Sequence, residues 1–131
     1  MAFDYGSRQI GVAVGSKLSY KPELLEAIGV HQKKADWDQL QDLQQIWQPD
    51  AFVVGLAYYA DERLSSIGKK AQKFGAFLQR KFHIPCYYVN EYLSSWQAAA
   101  DIRDQPANRK KINIHSQSAA IILQTFLSQV P

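Results

Sequence analysis

An acid set inside an apolar strand constrains this chain more than any other feature of its sequence. Two short apolar runs, Ala2-Phe3-Asp4-Tyr5 and Gln9-Ile10-Gly11-Val12-Ala13-Val14-Gly15, flank Gly6-Ser7-Arg8. The pattern reads as a tight strand–turn–strand. Asp4 lies in the first run, between Phe3 and Tyr5. A carboxylate in such a strand costs several kcal/mol unless hydrogen bonds or a cation offset it. Whatever the chain folds into must therefore bring a partner to Asp4.

The remaining elements follow from periodicity. Ser16 to Pro22 is a polar loop, and Glu26 to His31 alternates as a third strand. Trp37, Leu40, Leu43 and Trp47 recur at helical spacing behind Asp36, an N-cap residue type, so a helix is predicted from Asp36 to Trp47. Ala51 to Leu56 is a continuous apolar run typical of a strand buried on both faces. Leu64, Ile67, Ala71, Phe74 and Leu78 predict a long amphipathic helix from about Asp61 to Phe82, with Lys69, Lys70, Lys73, Arg80 and Lys81 as a solvated outer face. Ile84 to Val89 is a further strand, ending at Asn90-Glu91. A short helix capped by Ser94 or Ser95 would turn Trp96, Ala99 and Ala100 inward. Gln105 to Asn113 reads as a loop, and a last helix is expected to start near His115 or Ser116.

Early hairpins followed by strand–helix–strand crossovers give an α/β fold with helices on both faces of a mixed sheet. The expected order is 3-2-1-4-5, a five-stranded, ribonuclease H-like arrangement in one domain spanning residues 1–131. Its first strand is central, with Asp4 in the middle of the sheet. The 131 residues are 47% hydrophobic and 21% charged, which excludes a disordered chain. The net charge of +3 is compatible with a polyanionic partner. One cysteine, Cys86, excludes an internal disulfide framework and reads as a strand thiol; Trp37, Trp47 and Trp96 read as helix–sheet packing. No run reaches membrane-spanning length, and a cytoplasmic location is expected.

Three polar residues stand where such a sheet places ligands: Asp4, Glu91 just past a strand end, and His115 at the start of the last helix. Two carboxylates and an imidazole can hold a divalent ion that acts on a phosphodiester. The same residues read equally well as a hydrogen-bonded Asp4, a solvated Glu91 and a helix-capping His115.

Four ordered blocks resolve this further. Phe3-Asp4-Tyr5-Gly6-Ser7-Arg8-Gln9-Ile10-Gly11-Val12-Ala13-Val14 resembles the opening signature of the YqgF family, the RuvX-like Holliday junction resolvase homologues. Val53-Val54-Gly55-Leu56-Ala57 with Asp61, Val89-Asn90-Glu91-Tyr92-Leu93-Ser94-Ser95, and His115-Ser116-Gln117-Ser118-Ala119-Ala120-Ile121-Ile122-Leu123-Gln124 resemble its later blocks. The resemblance spans essentially the whole chain. It implies a ribonuclease H-like fold and a metal-dependent nuclease, acting on the 5′ end of precursor 16S rRNA or on a Holliday-junction-type substrate, as a monomer or homodimer. It further implies Asp4, Glu91 and His115 as catalytic residues and ligands of Mg²⁺ or Mn²⁺, with a 5′-phosphate and a 3′-hydroxyl as products. Arg8, Arg109, Lys110 and Lys111 are the expected nucleic-acid contacts.

The chain also departs from the family pattern. His115 stands for an aspartate, Asn90 for the aspartate before the glutamate, Tyr92 for the arginine after it, and Ala57 for a proline. Histidine removes one negative charge and tilts the site towards Mn²⁺. A second reading is therefore a weakened or inactive nucleic-acid- or ribosome-associated binding protein of the same fold. A third, an actin- or sugar-kinase-like phosphate hairpin, needs a second domain for which the chain has no room. Tyr58 and Tyr59 follow the fourth expected strand and can pack in the core or stack on an unpaired base.

Overall fold

The computed structural model describes residues 1–18, 21–32, 34–92 and 111–130, without the side chains of 111–114. Its strands are β1 (Ala2–Tyr5), β2 (Gln9–Val14), β3 (Glu23–His31), β4 (Lys34–Ala35), β5 (Phe52–Tyr58) and β6 (Cys86–Tyr92). Its helices are α1 (Trp37–Trp47), α2 (Ser66–Phe82) and α3 (Lys111–Gln129). The sheet order is β4-β3-β2-β1-β5-β6. β1, β5 and β6 run parallel, whereas β2, β3 and β4 pair antiparallel. This is the expected mixed sheet with one addition, six strands in place of five. The extra strand is the two-residue pair Lys34–Ala35, which lies back on Val30 and His31 after a turn through Gln32 at φ 51°. Two residues carry no periodicity, so the sequence pattern had nothing to register.

Side chains alternate across each strand, which divides the interior in two. Phe3, Ile10, Val12, Val14, Phe52, Val54 and Leu56 face α1 and α2, where they meet Leu40, Phe74 and Leu78. Phe3 is the hub, with ring centroids 5.7 Å from Phe52 and 5.4 Å, edge-on, from Phe74. Ala2, Val53 and Val89 face α3 and pack on Ile122 and Leu123. Asp4 is two residues beyond Ala2, and so belongs to the α3 face.

Helix boundaries follow capping groups more closely than periodicity. Asp36 caps α1 by accepting from the Gln39 backbone N–H at 3.1 Å. α2 starts at Ser66 rather than Asp61. Residues before it form a loop closed by the Tyr59 N–H donating to the Arg63 carbonyl and by the Arg63–Asp61 ion pair at 2.6 Å. Ser65, fully buried, accepts from the Gly68 N–H at 3.0 Å and donates to the Ala57 carbonyl at 2.6 Å, tying the helix to the end of β5. β6 begins at Cys86, after Pro85, and reaches Tyr92. α3 begins four residues ahead of the expected start, at Lys111. The expected helix around Trp96, and Arg109 and Lys110, lie outside the described residues.

α3 is seated by one serine. The β2–β3 register shifts between Ile10 and Val12. There the buried Ser116 hydroxyl accepts from the Val12 N–H at 3.4 Å and donates to the Leu25 carbonyl at 2.6 Å. It bridges two strands where their ladder is irregular, and this fixes the helix turn carrying His115. Among the described residues no helix is long and apolar enough to cross a membrane.

Candidate active site

Asp4, on β1, and Glu91, on β6, lie on the same face of the sheet with β5 between them. Two strand spacings, about 10 Å of backbone, separate their strands, and Glu91 leans over the intervening β5, its Oε2 2.9 Å from where a Cβ on Gly55 would sit. Both line one pocket of about 200 Å³. The pocket opens at the carboxyl ends of the three parallel strands, where open α/β sheets bind ligands. Gly55 forms its floor. A Cβ at that position would come within 2.9 Å of Glu91 Oε2 and 2.6 Å of Ile122 Cδ1, so only glycine leaves the carboxylate its place.

The electrostatics of the pair are those of a site built for positive charge. Burial, and secondarily the Asp4 charge, push the Glu91 carboxyl up to about 7. Burial and the neighbouring Asp4 charge disfavour ionised Glu91, and a cation in the pocket would offset both. The donor set suits a hard divalent ion, which takes one or two protein carboxylates and completes its shell with water and phosphate oxygens. Among the described residues, no three His, Cys, Asp or Glu side chains draw together into a ligand cluster.

His115 meets Asp4 from the other direction. Its Nδ1 stands 3.7 Å from Asp4 Oδ2, with both side chains a little over a quarter exposed. That separation is an ion-pair distance when the imidazole is protonated and too long for a hydrogen bond. The ring lies over the β1–β2 hairpin, its Cε1 3.6 Å from where a Cβ on Gly6 would sit, while Glu91 lies two strands away on the opposite side of β1. Asp4 is therefore the shared member of two contacts, Asp4–Glu91 across the pocket and Asp4–His115 over the hairpin.

Arg8 is exposed in the β1–β2 turn, on the His115 side. Lys111 opens α3. Cys86 is held as a protonated thiol: burial raises its pKa to about 11, and Sγ lies 3.8 Å from the Tyr87 carbonyl. Three hydroxyl-bearing pocket residues, Tyr5, Ser118 and Tyr92, were not singled out as site residues from sequence. Ser118 follows His115 by three positions, hence on the same helix face, and that spacing was the available signal. Tyr92 directly follows Glu91.

The chain is similar to known proteins over nearly its whole length. A family profile described as "RuvX: Holliday junction resolvase" matches residues 1–129. A protein of Buchnera aphidicola subsp. Schizaphis graminum, named "putative pre-16S rRNA nuclease", is 38% identical over 98% of this chain and 96% of its own. Proteins of the same name from Paraburkholderia phytofirmans and Pseudomonas paraeruginosa are 35% and 32% identical, covering 97% and 100% of this chain and 86% and 92% of theirs. Among solved structures, T. thermophilus RuvC in complex with Holliday junction substrate superposes with a TM-score of 0.53 at 13% identity, over 96% of this chain and 92% of that one. At that identity the likeness is one of fold, and it agrees with the ribonuclease H-like order expected from the sequence.

Proposed function

The chain belongs to the RuvX (YqgF) family, and on that premise we propose that it is a divalent-metal-dependent nuclease whose substrate is the 5′ end of precursor 16S rRNA. The observation that carries the reading is the shared pocket of Asp4 and Glu91 with the Glu91 pKa raised to about 7. The choice of rRNA is supported by the name common to the relatives at 32–38% identity. A Holliday-junction-type DNA is the alternative substrate, supported by the family description.

Asp4 and Glu91 are the residues that would hold the ion. When bound, Mg²⁺ or Mn²⁺ supplies Lewis-acid stabilisation of the charge that builds on a phosphodiester during hydrolysis. Glu91 must shed its proton to serve, so ion affinity rises with pH up to and through about 7. His115 flanks Asp4 on the hairpin side, its Nδ1 3.7 Å from the carboxylate, and stands as the candidate third ligand. Arg8, at the hairpin turn, and Arg109, Lys110 and Lys111, ahead of or at the start of α3, contact the phosphate backbone without reading sequence. Loss of the Glu91 proton makes the pocket more anionic as pH rises, and this favours entry of a cation.

The test is cleavage of a 5′-labelled precursor carrying its leader, with a four-way DNA junction in parallel. Wild type is expected to cut in Mg²⁺ or Mn²⁺ and to stop when the ion is chelated. Asp4→Asn is expected to be about a thousandfold slower, which corresponds to about 4 kcal/mol of lost stabilisation. Equal cleavage by the two proteins would overturn the assignment. A non-catalytic binding protein is the second reading, favoured by the lack of a three-ligand cluster among the described residues. Tight binding by wild type with no cleavage in either ion would establish it.

A further inference from the structure

Side chains of consecutive strand residues point to opposite faces. Glu91 turns to the α3 side, and Tyr92 to the α2 side, yet both border the same pocket because it wraps over the sheet's carboxyl edge. Tyr92 pairs in register with Tyr58 at the end of β5, and their rings lie 6.1 Å apart at 40°. Tyr58 is rooted in the α1–α2 core. Tyr92 is 61% exposed. The ring is held on one side by Tyr58, leaves its other surface open, and stands at the rim of the pocket that Asp4 and Glu91 share. The other exposed aromatics in the described residues lie outside the pocket: Tyr87 packs on Phe126, Phe77 on Trp37, Tyr88 donates its hydroxyl to the Gln72 carbonyl, and Trp47 ends α1.

Resting on the nuclease reading of this pocket, we propose that Tyr92, braced by Tyr58, is a stacking platform for an unpaired base next to the scissile phosphate, so that the site selects a single-stranded flank over a continuous duplex. Paired bases have both faces covered by their neighbours, and only an unpaired one offers a face to a tyrosine. The α2 wall fits the same strand. Gly68 borders the pocket, and the exposed Lys69 and Lys70 follow it directly, placing positive charge along the path of a backbone that leaves the platform. A duplex gains from those lysines as well, but it gains nothing from the ring.

The test reads binding without cleavage, in the absence of divalent ion. Two RNA hairpins are compared, one with a single-stranded 5′ leader carrying 2-aminopurine beside the stem and one blunt. Wild type is expected to quench the 2-aminopurine and to prefer the leader RNA. Stacking of one base supports a preference of about tenfold to a hundredfold. Tyr92→Ala is expected to abolish the preference and the quenching, and Tyr92→Phe to keep both. Tyr87→Ala, at the far end of the same strand, should behave as wild type, and thermal unfolding of each variant confirms that it is folded. A Tyr92→Ala protein that retains the preference, or that loses affinity equally for both hairpins, overturns the platform while leaving the nuclease reading intact. A wild type that binds neither RNA overturns the platform and, with it, the choice of RNA as the substrate.

Discussion

Replacing Glu91 by glutamine is expected to slow cleavage about a thousandfold while making the ion-free protein more stable at pH 8. Both effects come from one cause. Glu91 has its pKa raised from 4.5 to about 7 by burial and by Asp4. The folded state therefore keeps a proton that the unfolded chain has already released, and between pH 4.5 and 7 the native protein binds more protons than the denatured one. Stability falls as pH rises across that window, and the full loss is present above it. After discounting for the part of the carboxyl that remains solvated, the loss is about 2 kcal/mol. Glutamine keeps the shape and carries no charge, so the decline disappears. Chemical denaturation at pH 5 and pH 8 measures it: wild type should lose stability between the two, and Glu91→Gln should not. Adding Mg²⁺ at pH 8 should restore wild type and leave the variant unmoved, because only an ion that binds the native state stabilises it. Parallel pH dependence in both proteins would mean that Glu91 is not the strained group.

The second large effect lies in the seating of α3. A Cβ placed on Gly11 would collide with the His115 carbonyl group and come within 2.8 Å of the Ser116 backbone N. These are backbone atoms of a helix pinned by the Ser116 bridge to Val12 and Leu25, so no rotamer change can relieve the clash. Gly11→Ala is expected to cost about 3 kcal/mol or more, at the upper end of overpacking effects, and to lift His115 away from Asp4. Gly29→Ala is the control: nothing lies within 4 Å of its Cβ position, and its stability should stay within about 0.5 kcal/mol of wild type. Urea midpoints compare the two. A Gly11→Ala protein as stable as the control would show that the helix is not held against β2 as described.

Much of this was legible in the sequence because it rests on local patterns. The hairpin around Gly6-Ser7-Arg8, the buried run of β5 and the cap at Asp36 each announce themselves within a few residues. Their order is enough to put β1 in the centre of the sheet and Asp4 on it. What escaped depends on groups distant in sequence. Leu64 continues the apolar period of α2, yet the helix waits for Ser65, because a carbonyl on β5, Ala57, completes that cap. Ser116 reads as an ordinary helix serine, and its weight comes from an irregularity between β2 and β3 about ninety residues earlier. Glu91 was identifiable as a candidate, but its raised pKa follows from burial and from Asp4, which only the folded sheet brings to the same pocket. Tyr92 appeared as a lost arginine, and its partnership with Tyr58 comes from parallel strand register.

The central claim is that Asp4 and Glu91 together hold a divalent ion. It is tested most directly by anomalous diffraction from crystals of the wild-type protein soaked in Mn²⁺. The account predicts a peak in the pocket, at coordination distance from both carboxylates, and its loss in Asp4→Asn. Mn²⁺ concentrations that support cleavage but leave that position empty, with the anomalous signal elsewhere or absent, would contradict it.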